Sequence, residues 1–304
     1  MSVPQAKVIV NPVAGANSTR KKWPRINQLL KRIGLSFDYQ FTEGAGHAIE
    51  LARAAANNGY RYVVAVGGDG TVNEVANGIL GSTGASSTAL GVISTGTGSD
   101  FVRSIGVPQD YLTACLSLTS WRRSLVDVGV VEYRNKGQTL RRFFVNVAGT
   151  GFDAAVVENT ERLPKYFGGT VPYLFALLRT LLGYHNKSVV MHIDGKVEAA
   201  RILNVVVANG AYVGGGMHVA PEASLDDNLL DIVIIGDIGK LELLKAVPMV
   251  YKGTHVTHPK VRVEKAAKIT VESSERILVY ADGELLGEGP ASFWLMPAAL
   301  SIIV

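Results

Sequence analysis

Three times in the first third of the chain an apolar run passes through a glycine-bearing polar turn into a helical pattern, and this repetition restricts the fold more than any other feature. Ala6–Val10 closes on Asn11-Pro12-Val13-Ala14-Gly15. Tyr62–Val66 enters Gly67-Gly68-Asp69-Gly70-Thr71-Val72-Asn73, with a helical pattern over Val72–Leu80, and Leu90–Ile93 is followed by Gly96-Thr97-Gly98-Ser99-Asp100. Short buried strands alternating with helices predict a parallel α/β layer. In such layers the loops at the carboxyl ends of the strands bind ligands.

The second turn has the most telling chemistry. Its glycines let backbone N–H groups approach a polyphosphate, and the N-terminus of the following helix adds a favourable dipole. Asp69 would repel phosphate unless a divalent cation stood between them, so this turn predicts magnesium together with nucleotide. The plainer alternative is a tight connection in which Asp69 caps the helix. No Gly-Lys-Ser or Gly-Lys-Thr occurs, and no complete Gly-x-Gly-x-x-Gly follows a strand, which argues against the common NTPase and dinucleotide folds.

At 304 residues the chain has room for two domains, and its 47% hydrophobic and 18% charged residues exclude extensive disorder. Alternating strands and helices run from Ala6 to about Thr119, and after Trp121 come β-rich runs, Ala199–Val207 among them, with helical inserts near Ala154–Arg162, Val171–Gly183 and Lys240–Val247. A nucleotide-binding α/β domain is therefore expected over 1–124 and a mainly antiparallel β domain over 125–292. Cys115, the one cysteine, sits in the apolar pattern Tyr111–Leu118 and reads as a core residue rather than a nucleophile. The six histidines show no metal-binding spacing, and His255 and His258 beside Pro259 read as loop residues. The chain opens with no basic segment leading into an apolar one, which predicts a cytoplasmic protein. Val171–Tyr184 is shorter than the roughly twenty residues that cross a bilayer.

Charge is unevenly spread. Residues 1–36 hold Lys7, Arg20, Lys21, Lys22, Arg25, Lys31 and Arg32 with no acid, which leaves 23 basic against 26 acidic residues elsewhere. Over Ser18–Ile33, Trp23, Ile26, Leu29, Leu30 and Ile33 form one helical stripe with the basic residues mainly opposite. That face is either simply solvated or attracted to anionic lipid headgroups. Nucleic acid is disfavoured, because no recognition motif or aromatic platform accompanies it.

The glycine turns, taken with Asn73-Glu74 and Phe101, resemble successive signatures of the diacylglycerol kinase catalytic family, which includes bacterial lipid kinases and sphingosine kinases. Asn146–Ala154, Ala208–Met217, Pro221–Leu230 and Tyr280-Ala281-Asp282-Gly283-Glu284 resemble further blocks in the expected order, so the likeness spans nearly the whole chain.

The resemblance implies an NAD-kinase/phosphofructokinase-like parallel domain, a C-terminal β domain, nucleotide between them, and closing strands over 293–304 that return to the first domain. It implies ATP-dependent phosphorylation of a lipid hydroxyl, such as that of diacylglycerol, with Mg2+. Nucleotide contacts fall to Asn11 through Gly15, Thr42, Gly67 through Asn73, and Thr97. Asp69, Asp100 and Asp127 would surround the catalytic magnesium. Glu284 would accept the proton with Asp282 in support, and Asp69 is the rival base. A second, structural magnesium would lie on the main-chain carbonyls of Ser224 and Leu229 and the carboxylate of Asp227. Ser99 and Ala16 depart from the family pattern, which has asparagine and, in some members, lysine at these positions. The expected partners are a lipid substrate and, transiently, the inner membrane surface, with a homodimer as a candidate state. NAD kinase and a catalytically silent lipid-binding protein are the alternatives.

Overall fold

The computed structural model describes residues 5–96, 98–161 and 170–304. The chain divides into two units, Met1–Val128 with Pro297–Val304, and Gly129–Met296.

Unit 1 runs β1 (Ala6–Val10), α1 (Ala14–Arg32), β2 (Phe37–Phe41), α2 (His47–Asn57), β3 (Tyr62–Gly67), α3 (Asp69–Leu80), β4 (Ala89–Ser94), α4 (Asp100–Ser104) and α5 (Tyr111–Ser117). Its strands lie in the order β2-β1-β3-β4, all parallel. Ser301 and Ile302, near the end of the chain, extend the sheet in parallel beside Ala89 and Leu90. β1, β3 and β4 are buried almost throughout, because both faces of a parallel sheet are covered. Ala6, Val8, Val10, Tyr62, Val64 and Val66 pack with Trp23, Ile26 and Leu30 of α1 and with Cys115. Alternation along the strands turns Ile9, Val63 and Ala65 to the other face. Full burial of each large apolar side chain contributes about 1.5–3 kcal/mol. Burial also pushes the Cys115 thiol up to about 12, as expected for an inert core cysteine.

The chain enters unit 2 within β5 (Arg123–Asn135). It continues through β6 (Gln138–Phe144), β7 (Val147–Gly151), α6 (Phe152–Glu161), α7 (Thr170–Gly183), β8 (Lys187–Ile193), β9 (Lys196–Ile202), β10 (Asn204–Ala208), β11 (Tyr212–Val213) and β12 (Met217–His218). Then come β13 (Leu230–Ile235), α8 (Lys240–Lys252), β14 (Val261–Ala266), β15 (Lys268–Glu272), β16 (Leu278–Ala281) and β17 (Glu284–Ile303), whose last residues belong to unit 1. Neighbouring strands within unit 2 pair antiparallel, and one path runs β14-β13-β10-β7-β16-β17. Further along, β17 pairs with β15, which leads to β8 and β9. Phe144, Met191, Ile202, Val205, Ile232, Ile269, Val279 and Phe293 fill the core.

Several elements differ from the sequence expectation. Helix α3 begins at Asp69, three residues before the expected Val72, so Asp69 is helical rather than the middle of a turn. Ala199–Val207, expected as one strand, is β9 and β10, separated at Leu203. There Leu203 N donates to Ile235 and Gly236 carbonyls and its own carbonyl accepts from Phe152 N, so the chain leaves one ladder and joins another. β7 covers Ala-Gly-Thr-Gly, which has little strand character. β14 carries Arg262, Glu264 and Lys265, which obscure its period. Helix α8 continues through Pro248 to Lys252 rather than stopping at Val247. The expected end of α6 at Arg162 falls outside the described residues.

Candidate active site

In unit 1 the β1–α1 and β3–α3 loops are joined by side chain and backbone. Asn11 N donates to Val66 O at 2.9 Å, and Asn11 Nδ2 donates to Thr71 Oγ1 at 2.9 Å. Asn11 Oδ1 accepts from Val13 N at 3.2 Å, which folds Pro12, Val13 and Ala14 into a tight turn with Val13 63% exposed at its tip. Gly15, Ala16 and Asn17 then take left-handed conformations (φ 58°, 53° and 68°) before the right-handed helix proceeds. Ala16 and Asn17 are strained there by about 1 kcal/mol or more each, and strain of this kind collects at functional loops. Ser18 Oγ donates to Thr95 O at 2.8 Å and Thr19 Oγ1 lies 2.5 Å from Thr95 Oγ1, so the first turn of α1 is bonded to the loop after β4.

The β3–α3 and β4–α4 loops meet backbone to backbone. A Cβ on Gly96 would stand 2.7 Å from Gly68 Cα, and one on Gly67 would strike the Thr71 side chain. Around Gly70, by contrast, nothing lies within 4 Å of a Cβ position. Helix α3 is preceded by extended Gly68 and has no side-chain cap, so its positive end carries room for an anion. Asn73 is 2% exposed and its carbonyl and Oδ1 accept from Asn77 Nδ2. Thr42 N donates to Val10 O at 2.9 Å; Thr42 does not cap α2, which starts after Gly46. Thr97 lies outside the described residues.

Asp69 is the chemical centre of these loops. Its Oδ1 accepts from Phe101 N at 3.2 Å, and a Cβ on Gly98 would meet both Asp69 Oδ2 and Asp100 Oδ2. Burial, and next the neighbouring Asp100 charge, push the Asp69 carboxyl above the ordinary carboxylate range, against the pull of nearby backbone N–H groups. Asp100, 5% exposed, is held by Arg103 Nη1 at 3.0 Å, and the same nitrogen donates to Gly98 O at 2.6 Å. Two adjacent carboxylates, one of them penalised in its charged form, fit a divalent cation. Ser99 is left-handed (φ 57°) and its hydroxyl lies 2.6 Å from Ser94 Oγ. Asp127, 2% exposed, accepts from Ala298 N at 2.7 Å, which ties it to the returning segment.

In unit 2, Asp282 and Gly283 (φ 45° and 82°) make a two-residue turn between β16 and β17, with the paired left-handed conformations of a type I′ hairpin. The Asp282 carboxylate accepts from Val145 N at 2.8 Å, Asn146 N at 3.0 Å and Val147 N at 2.9 Å, and Asp282 N donates to Val147 O at 2.8 Å. These four bonds fix the turn, so Asp282 positions the start of β17. The first residue of that strand is Glu284, whose Oε2 lies 2.9 Å from Arg142 Nη2 and whose side chain is 40% exposed.

Residues 5–131 match the family described as the diacylglycerol kinase catalytic domain. Residues 146–304, just over half of the chain, match the YegS C-terminal NAD kinase beta sandwich-like domain. The chain belongs to the diacylglycerol kinase catalytic family. It is a lipid kinase, and membership of a kinase family implies use of ATP. This lipid kinase is 29% identical over 289 residues to the diacylglycerol kinase of Staphylococcus carnosus (strain TM300), covering 95% of this chain and 91% of that protein. It is 29% identical over 290 residues to the diacylglycerol kinase of Bacillus subtilis (strain 168), covering 95% of this chain and 92% of that protein. A candidate diacylglycerol kinase from Bacillus anthracis str. Sterne superposes with a TM-score of 0.82 at 25% identity, over 100% of this chain and 96% of that chain.

The loop expected to hold a structural cation in this lipid kinase has an oxygen-rich lining. Asp227 Oδ1 accepts from Leu229 N at 3.1 Å, Ser224 Oγ donates to Asp226 Oδ1 at 2.6 Å, and Asn228 is left-handed (φ 62°). Lys265 Nζ sits 2.6 Å from Asp227 Oδ2 and 3.7 Å from Asp231 Oδ2, the latter too long for a hydrogen bond. Asp231 is 1% exposed and neither carboxylate oxygen has a hydrogen-bond partner. Burial pushes its carboxyl above the ordinary range, Lys265 opposes that, and Asp227 and Glu222 add to it. Such a donor set fits a hard cation on Asp227 and the carbonyls of Ser224 and Leu229.

Sequence reasoning missed Asp231, whose signal is one acid two residues past Leu229 in an otherwise apolar strand. It also gave Glu74 no role. That carboxylate accepts from Gly46 N at 2.9 Å and Ala48 N at 3.1 Å, fastening the start of α2 to α3. Arg142, on a mostly exposed antiparallel strand, left no signal at all. His255, expected in a loop, lies in a short 3₁₀ turn with Nε2 3.0 Å from Val219 O.

Proposed function

We propose that this lipid kinase transfers the γ-phosphoryl group of ATP to the hydroxyl of diacylglycerol or a closely related membrane lipid. The observation that carries the reading is Asp69, set at the uncapped start of α3 beside Asp100 and next to the open space at Gly70. Phosphoryl transfer needs positioned phosphates, neutralised charge and an oriented acceptor. The Gly67–Thr71 backbone and the dipole of α3 hold phosphate oxygens, and Asn11 keeps Thr71 in place. Magnesium, when bound near Asp69 and Asp100, supplies charge neutralisation. Glu284 takes the proton of the acceptor hydroxyl, the oxygen forms its bond to the γ-phosphorus, and the bond to ADP breaks. Arg142 orients Glu284, and Asp282 orients the turn that presents it.

Named relatives and the match of residues 5–131 support diacylglycerol as the first substrate to try. Phosphorylation of NAD is the second reading, favoured by the NAD kinase-like description of the C-terminal half. To separate them, the protein is incubated with labelled ATP and magnesium, with either a total lipid extract or NAD, and products are identified by mass spectrometry. A lipid phosphate carrying the label supports the proposal. Label in NADP alone overturns it, and lipid binding without any transfer points to a silent binding protein.

A further inference from the structure

Helix α8 carries two apolar stripes on opposite sides. Inward, Ala246 is buried, Leu243 packs with Leu181 and Ile238, and Val250 packs with Val219 and Ala220. Outward, Leu241, Leu244, Pro248 and Tyr251 recur at steps of three and four, so they share the other face. Leu241 is 77% exposed, Leu244 42% and Tyr251 48%. Lys240 Nζ donates to Leu182 O at 2.5 Å, which sets the end of α7 beside the start of α8 and adds Leu182, also 77% exposed.

The polar residues around this stripe are of one sign. Lys245 and Lys252 flank it on one side and Lys240 on the other, and Arg179 is exposed on α7. Glu242, the one acid of α8, points at Lys260 (2.8 Å) and His258 (3.3 Å), and Asp237 before the helix pairs with Arg201 at 3.4 Å. Leucines in the middle with lysines at the rim is the arrangement of a helix that lies in a bilayer interface. A second copy of the chain is the poorer fit, since a two-fold contact would press lysines against lysines. The basic face of α1 differs: between Ser18 and Arg32 it exposes Arg20, Lys21, Arg25, Lys31 and Arg32 but no large apolar side chain.

We propose that the outer face of α8, with Leu182 at the end of α7, docks the enzyme on a bilayer containing anionic lipid. The proposal rests on the reading of a membrane-lipid substrate and adds where the protein meets that membrane. Anionic headgroups meet the lysine rim while the leucines and Tyr251 enter the boundary with the acyl chains. The acceptor lipid is then presented at the bilayer surface.

The test uses the full chain and two double variants, Leu241→Ser with Leu244→Ser, and Lys245→Glu with Lys252→Glu. Sedimentation with phosphatidylcholine vesicles, with and without phosphatidylglycerol, reads docking. Turnover of a short-chain, water-dispersed diacylglycerol reads the reaction separately, thermal unfolding reads folding, and light scattering reads oligomeric state. The wild type binds only the anionic vesicles, and each folded variant loses at least about tenfold in that binding while short-chain turnover is kept. Wild-type affinity in both variants, or no vesicle binding by the wild type, overturns the proposal. A dimer that the Leu241→Ser, Leu244→Ser variant breaks assigns the face to a second copy instead. If short-chain turnover is absent in every form, the substrate reading fails on its own, and the vesicle result still decides the docking face.

Discussion

Arg142 Nη2 stands 2.9 Å from Glu284 Oε2, a contact between the otherwise mostly exposed strand β6 and the first residue of β17. The carboxylate proposed to accept the proton is thereby held in one orientation. Glu284→Gln keeps the shape and removes the base, so kcat falls by about 10²–10⁴ while nucleotide affinity is unchanged. Arg142→Met lowers kcat by a smaller factor, again with little change in the KM for ATP. Steady-state kinetics with both substrates varied measures each.

Asp282, two residues earlier, behaves differently on substitution. Removing its carboxylate strands three backbone N–H groups, at Val145, Asn146 and Val147. Asp282→Ala destabilises the protein by about 2–4 kcal/mol, whereas Glu284→Ala leaves stability within about 0.5 kcal/mol. Denaturant melts of the two variants side by side test whether one acid anchors the turn and the other uses it.

Two glycines of the phosphate loops separate packing from binding. Gly96→Ala places a methyl 2.7 Å from Gly68 Cα and forces two backbones apart, which destabilises by about 1–3 kcal/mol. Gly70→Ala meets nothing within 4 Å, so the variant melts like the wild type. If a phosphate fills that space, Gly70→Ala weakens ATP binding in calorimetry by about tenfold or more without loss of stability.

Asp69 gives a pH signature. Its carboxyl is raised in the folded chain, by burial first and Asp100 second, so the folded state binds its proton more tightly than the unfolded state does. Stability therefore falls as pH rises from the ordinary carboxylate range through the raised value, and stays lowered above it. Without divalent cation, Asp69→Asn melts at a higher temperature than the wild type at neutral pH, and the difference shrinks below about pH 4. Magnesium narrows the gap by stabilising the wild type more than the variant.

Lys265 supplies the positive charge beside Asp227 and the buried Asp231. Lys265→Met leaves those acids uncompensated, which destabilises by about 3 kcal/mol or more. Magnesium raises the melting temperature of this variant more than that of the wild type. Equal shifts in both would show that no cation enters the Ser224–Leu229 loop.

The parallel half of the fold was legible because β1, apart from Lys7, and β3 and β4 are apolar runs leading into glycine turns, as strands covered on both faces must be. Unit 2 was harder, and its particular residues show why. Gly149 and Gly151 suppress strand character in β7, yet a Cβ at Gly149 would strike Val205 O, so close strand packing selects the residue that hides the strand. Val197, 63% exposed, and Val263, 38%, place apolar residues on the wet side of β9 and β14 and blur the two-residue period. Helix α8, expected over Lys240–Val247, runs on through Pro248, whose missing N–H is tolerated at an exposed position. At the site, Asp69 and Glu284 were marked by local turns. Arg142, which holds Glu284, comes from a distant segment, and the bonds from Glu74 to Gly46 and Ala48 and the burial of Asp231 beside Lys265 become visible only in three dimensions.

The most direct test is transfer of the γ-phosphoryl group from labelled ATP to water-dispersed diacylglycerol by the wild type, Asp69→Asn and Glu284→Gln, with NAD offered in parallel. Labelled lipid phosphate from the wild type, and at least about a hundredfold less from either variant, is the expected result. Undiminished labelling by both variants, or label in NADP and none in lipid, would contradict the account.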